Sequence, residues 1–224
     1  MAEITHVEGN LYQFKPATDV QAKDQPPAKS LFEQGLEADN AGEHDKAIEL
    51  YNQAMAQNAE SADSQYSLNN VGAILTKRRD YKAAEEVFRK LVAACPHYPL
   101  GLFNLACTLG EKWPPQRTEA VEYYISALAI KPNYGDAYYN LGYEYSYLGE
   151  VRLAIHHYGQ YLHYSGNEPY WRGYAEREIR RLSERELQLV AKPAATQSQA
   201  RADQETRGAK RSAHGRRNDQ RQEP

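Results

Sequence analysis

The sequence predicts an all-α protein, an α-solenoid of four helical hairpins closed by a C-terminal capping helix. A recurring set of markers predicts it. A small residue is followed 12 to 14 residues on by an alanine and then, four residues later, by an aromatic: Gly35–Ala47–Tyr51, Gly72–Ala84–Phe88, Ala106–Ala120–Tyr124 and Gly142–Ala154–Tyr158. Successive copies are offset by 37, 34 and 36 residues. A period near 34 belongs to stacked helix pairs, in which no unit buries its apolar face alone and neighbours make one continuous core. Punctuation agrees with that period. Gly42 and Gly149 fall where a first helix must turn back, and Pro96 and Pro132 fall just past second helices, where proline stops a helix at little cost.

Taken in order, residues 1–27 hold few apolar residues beyond Leu11, Tyr12 and Phe14, and Pro16, Pro26 and Pro27 interrupt any helical period. They read as a flexible N-terminal arm. Residues 28–190 carry the four hairpins and the cap. Arg79 stands in the second hairpin at the place glycine takes in the first and fourth, so its turn must differ in geometry or accept strain. Gly110, Pro114 and Pro115 mark an enlarged turn in the third, which explains its longer internal spacing; Trp113, in that turn, is expected to pack on the neighbouring hairpin. In the segment from Glu168 to Val190, Trp171, Tyr174, Ile179, Leu182 and Leu187 fit one helical face opposite a charged one, the character of a solenoid cap. Residues 191–224 contain no large apolar residue and read as a disordered basic tail.

Charge divides along the same boundary. The tail holds 8 Lys/Arg against 4 Asp/Glu, and the remainder 19 against 26, so an acidic body carries a basic tail. No apolar run approaches the roughly 18 residues of a membrane span, and residues 1–11 lack the pattern of a secretory signal. The two cysteines, Cys95 and Cys107, make no disulfide framework. Together these features point to a cytoplasmic setting without membrane attachment.

The repeats resemble the tetratricopeptide repeat family. The fourth matches at Tyr138, Leu141, Gly142, Tyr145, Gly149, Ala154, Tyr158 and Tyr161; the second at Leu68, Val71, Gly72, Ala84, Phe88, Leu91 and Pro96. The third matches at Leu102, Leu105, Ala106, Ala120, Tyr124, Ala127 and Pro132, and the first, more loosely, at Leu31, Gly35, Ala47, Tyr51 and Ala54. The resemblance implies a right-handed solenoid whose first helices line a concave groove, and a non-enzymatic protein-binding role. In the groove it places Tyr66, Asn70, Phe103, Asn104, Tyr139, Asn140, Tyr143 and Tyr147. Asn70, Asn104 and Asn140 recur two residues before the small marker. Such a row can pair with the backbone of an extended peptide, since an amide both donates and accepts, or bond within the scaffold. Tyr139, Tyr143 and Tyr147 recur every four residues and so share a helical face. With Phe103 and Tyr66 they make an adhesive wall, or in part a core.

Several function classes lose support. A basic clamp for a chaperone carboxylate would need lysine or arginine in the groove, and neither register of the first helices supplies one. His156, His157 and His163 lack a carboxylate or cysteine at ligand spacing, so no metal or other cofactor is expected. No glycine-rich phosphate loop or catalytic set is present, and Cys107 reads as structural. The leading expectation is an adaptor whose groove binds an extended peptide segment of a protein partner. The alternative is a nucleic-acid-associated protein whose tail, bearing Lys210, Arg211, Arg216 and Arg217, binds RNA or DNA while the repeats recruit a protein.

Overall fold

The computed structural model describes residues 3–7, 11–15, 29–59, 61–164 and 169–188. The expected basic tail lies outside these residues. Eight helices run α1 (Leu31–Asn40), α2 (His44–Gln57), α3 (Ala62–Lys77), α4 (Tyr81–Ala94), α5 (Pro99–Glu111), α6 (Arg117–Ile130), α7 (Gly135–Leu148) and α8 (Val151–Tyr164). A ninth, α9, spans 169–188. Each odd-numbered helix from α1 to α7 packs on the one that follows it, and each hairpin packs on the next. The first helices α3, α5 and α7 also approach one another, which is the row that forms the inner face of a hairpin solenoid.

Local chemistry sets the boundaries. Ser30 and Glu33 form a reciprocal capping box at the start of α1: Glu33 N donates to Ser30 Oγ at 3.1 Å, and Ser30 N to Glu33 Oε2 at 2.8 Å. Ser61 and Asp80 cap α3 and α4, and Pro99 opens α5 where a missing N–H costs nothing. Three hairpins turn through the same pair of reversed bonds. Glu43 N donates to Ala38 O and Gly42 N to Asp39 O; Asp80 N to Leu75 O and Arg79 N to Thr76 O; Glu150 N to Tyr145 O and Gly149 N to Ser146 O. This termination needs a left-handed residue. Gly42 (φ 77°) and Gly149 (φ 81°) adopt it freely, and Arg79 adopts it at φ 61°, so the second turn keeps the common geometry at the cost of strain. The third hairpin takes the longer path expected of it. Its turn closes through Gln116 N to Leu109 O at 2.8 Å, and Lys112 reaches back to Glu85 of α4 at 2.6 Å.

The recurring markers are the packing contact of each hairpin. Ala47, Ala84, Ala120 and Ala154 are inaccessible to solvent, and Tyr51, Phe88, Tyr124 and Tyr158 are buried beside them. A Cβ placed on Gly72 would meet the Phe88 ring at 2.6 Å, and one on Gly142 the Tyr158 ring at 2.8 Å. The absent side chain is what lets the aromatic of the second helix lie against the backbone of the first.

Three features differ from the expectations. Trp113 does not pack on the neighbouring hairpin: it is 92% exposed, because the enlarged turn carries it outward. On α9, Leu182 and the unforeseen Ala175 are buried against Tyr158 and Tyr161, but Leu187 is 70% exposed, although its neighbour Glu186 pairs with Arg152 of α8. In the N-terminal arm, where composition suggested no regular structure, Glu3–Val7 (β1) and Leu11–Lys15 (β2) pair antiparallel, with Glu3 opposite Lys15 and Val7 opposite Leu11. Among the described residues from 29 to 188 there is no strand.

Two substitutions test this packing. Gly72→Ala must push Phe88 from its seat and should lower stability by roughly 1–3 kcal/mol in urea unfolding. Arg79→Gly relieves a left-handed residue and should raise stability by up to about 1 kcal/mol.

Candidate functional site on the concave face

The asparagine row occupies a buried seam. Asn70 Nδ2 donates to the Tyr51 hydroxyl at 3.2 Å, Asn104 Nδ2 to Asn69 Oδ1 at 2.8 Å, and Asn140 Nδ2 to Cys107 Sγ at 3.4 Å. Each bond joins one hairpin to the one before it. The Thr76 and Thr108 hydroxyls, 3.2 Å apart, add a further rung between α3 and α5. Buried polar groups need such partners, and here they also fix how far successive hairpins slide. All three amides thus make bonds within the scaffold.

The aromatic candidates separate into two sets. Phe103 is buried, 5.6 Å from the Tyr124 ring centroid and 4.9 Å from that of Tyr134. Half-buried Tyr66 lies 6.1 Å from Phe32 and 6.4 Å from Tyr98. Tyr139 is buried at the junction with α9, 5.2 Å from Tyr161 and 5.3 Å from Trp171. Tyr143 and Tyr147 stand apart from these. Their rings are 4.8 Å apart and their hydroxyls 3.3 Å apart, and Tyr147 is 60% exposed. The Arg117 guanidinium lies over the Tyr147 ring at 4.1 Å, within reach of a cation–π attraction.

Beside this pair is a cavity of about 440 Å³ between the end of α5, the middle of α7, the enlarged turn, α6 and α9. Tyr139, Asn140 and Tyr143 line it, together with Trp113, Arg117, Glu144 and Trp171. The structure therefore brings Tyr139, Asn140, Tyr143 and Tyr147 to one place. Tyr66, Asn70, Phe103 and Asn104 lie farther back along the row, on α3 and α5.

At the cavity floor Arg117 Nη1 donates to Glu144 Oε2 at 2.6 Å. Glu144 is almost completely buried and leans on the backbone of α5, where a Cβ on Gly110 would meet its Oε1 at 2.5 Å. Burial pushes the Glu144 carboxyl above the usual range, and Arg117 pulls it part of the way back. Sequence reasoning missed this pair. The available signal was Glu144 itself, the single charge between Ala137 and Gly149. Nothing in the spacing announced Arg117 as its partner.

The remaining candidates for chemistry are quiet. Burial pushes the Cys107 thiol up, and its sulfur accepts from Tyr124 and Asn140, so it is held as a neutral thiol. His157 stacks on Tyr138 and Tyr145. Among the described residues no group of three His, Cys, Asp or Glu side chains could hold a metal, and no helix is long and apolar enough to cross a membrane.

Models of the tetratricopeptide repeat match residues 32–99 and 135–165. The chain carries tetratricopeptide repeats. It is 28% identical over 114 residues to the photosystem I assembly protein Ycf3 of Rippkaea orientalis, and 30% identical over 82 residues to that of Synechococcus sp.. These matches take in 46% and 37% of this chain, and 66% and 47% of the relatives, so the chain spans less than two thirds of either. A tetratricopeptide repeat protein from Parabacteroides merdae superposes with a TM-score of 0.60 at 18% identity, over 69% of this chain and 59% of that one. A crystal structure of MamA gives 0.55 at 20% identity, over 70% and 90%. These likenesses extend to the fold.

The Arg117–Glu144 pair yields a pH-dependent prediction. Arg117→Ala leaves a buried carboxylate alone and should cost roughly 1–3 kcal/mol at pH 7. A raised folded-state pKa means that the folded protein takes up the proton first as pH falls. The cost should therefore shrink as pH is lowered toward that pKa, whereas adding Glu144→Gln should remove it at every pH. Urea unfolding at several pH values checks both.

Proposed function

We propose that this protein is a non-enzymatic scaffold that binds an extended segment of a partner protein on its concave face. The anchor is the aromatic cavity between the third and fourth repeats. One observation carries the reading: Tyr143 and Tyr147 are large, amphipathic and accessible beside an open cavity, whereas Tyr51, Phe88 and Tyr158 are sealed inside their hairpins. Tyrosine supplies contact area and a hydroxyl at small entropic cost, and the Arg117–Glu144 pair presets the floor.

The set proposed from sequence divides in this reading. Tyr143 and Tyr147 meet the partner directly, and the buried Tyr139 and Asn140 form the cavity wall behind them. Asn70, Asn104, Phe103 and Tyr66 shape the row of first helices that the segment would follow. The name of the two relatives, photosystem I assembly protein, supports a partner that is itself a protein component being assembled. The two free cysteines suit a cytoplasmic setting.

Photo-crosslinking tests the face. A benzophenone side chain in place of Tyr147 should capture the partner in cells. The same group in place of Ile125, exposed on α6, should not. Adding Tyr143→Ala should reduce the Tyr147 adduct tenfold or more, since a central aromatic anchor is worth about 2 kcal/mol. Equal adducts from both positions would refute the concave site.

A further inference from the structure

The first helices are not equally open. Every residue of α5 from Leu100 to Leu109 is buried, nearly three turns, and so are Asn69 to Ile74 of α3. A helix in a hairpin stack is covered by its partner behind and its neighbours on either side, which leaves its inner face to solvent. Burial around the whole circumference requires a further cover. Among the described elements, β2 is in position to supply it. Cα atoms of Leu11–Lys15 lie within 8 Å of those of both α3 and α5. On α7 the face bearing Tyr143 and Tyr147 remains open.

We propose that the inner face of α3 and α5 is a strand-binding surface whose resident ligand is the chain's own Leu11–Lys15 segment, bound in cis. A physical argument supports this. A two-stranded antiparallel pair is marginal in water by itself, so the pair persists because β2 docks on a larger surface. The occupant is an extended strand of sequence Leu-Tyr-Gln-Phe-Lys.

The inference rests on the concave-face reading and adds regulation to it. A partner confined to the Tyr143–Tyr147 cavity binds without hindrance. One that extends over α5 and α3 must displace β2, and its affinity falls by the fraction of molecules in which β2 is docked. A tethered segment competes at an effective concentration in the millimolar range, so the barrier is substantial yet reversible.

Amide hydrogen exchange on the full chain tests the docking, and a peptide titration tests the competition. Residues 11–15 should exchange at least tenfold more slowly than in a free peptide of residues 1–18. That peptide, carrying fluorescein, should bind the full chain bearing Leu11→Ser, Tyr12→Ser and Phe14→Ser at least tenfold more tightly than the unaltered chain, with helical circular dichroism preserved. If the variant does not fold, exchange on the unaltered chain decides the matter. Exchange as fast as in the free peptide, or equal peptide binding by both proteins, overturns the proposal. Protection that disappears when a dimer is diluted to monomer also overturns it, because the strand would then come from a second copy. None of these readouts involves the partner, so a failed Tyr147 crosslink and a failed β2 docking are separate results.

Discussion

Each repeat depends on an aromatic ring of the second helix lying against a position of the first that has little or no side chain. Tyr51, Phe88 and Tyr158 rest on Gly35, Gly72 and Gly142 at separations that a Cβ would not permit, and Tyr124 occupies the corresponding place beside Ala106. Protein interiors are close-packed and yield little to added volume. This contact therefore sets the distance between the helices of each hairpin, and hence where the inner face falls. The polar rungs from Asn70, Asn104 and Asn140 then fix one hairpin against the next. Close packing sets the unit, hydrogen bonds set the register, and the concave surface results from both.

That hierarchy explains how much was legible in the sequence. The contact needs one residue type at one spacing, so it leaves a periodic trace, and the four hairpins could be read from it. The turns were legible for the same reason. The reversed bonds at Gly42 and Gly149 need a left-handed residue, and Arg79 shows that the geometry persists even where the residue does not favour it. The strand pair left no comparable trace. Its five-residue strands sit in a proline-containing segment of low hydrophobicity, and the surface that completes it is contributed by helices far along the chain.

The candidate site was only partly legible. An i, i+4 pattern placed Tyr139, Tyr143 and Tyr147 on one face correctly, but a period cannot say which of them faces a cavity. Tyr139 is drawn inward by α9, and Tyr147 escapes by lying near the helix end. For the asparagines both uses were open, because an amide that can hold a ligand's backbone can equally hold a neighbouring hairpin. The preceding repeat supplied suitable partners in Tyr51, Asn69 and Cys107, and a polar group near a core is best satisfied by bonds that form on folding. Glu144 and Arg117 met across 27 residues, beyond the reach of any local pattern.

The proposed partner site is the concave face centred on Tyr143 and Tyr147. Selective ¹³C labelling of the tyrosines and titration with a captured partner would test it most directly. The Tyr143 and Tyr147 ring signals should shift on binding while those of Tyr51 and Tyr158, sealed within their hairpins, stay in place. Shifts confined to tyrosines of the second helices, such as Tyr123, with Tyr143 and Tyr147 unmoved, would contradict it.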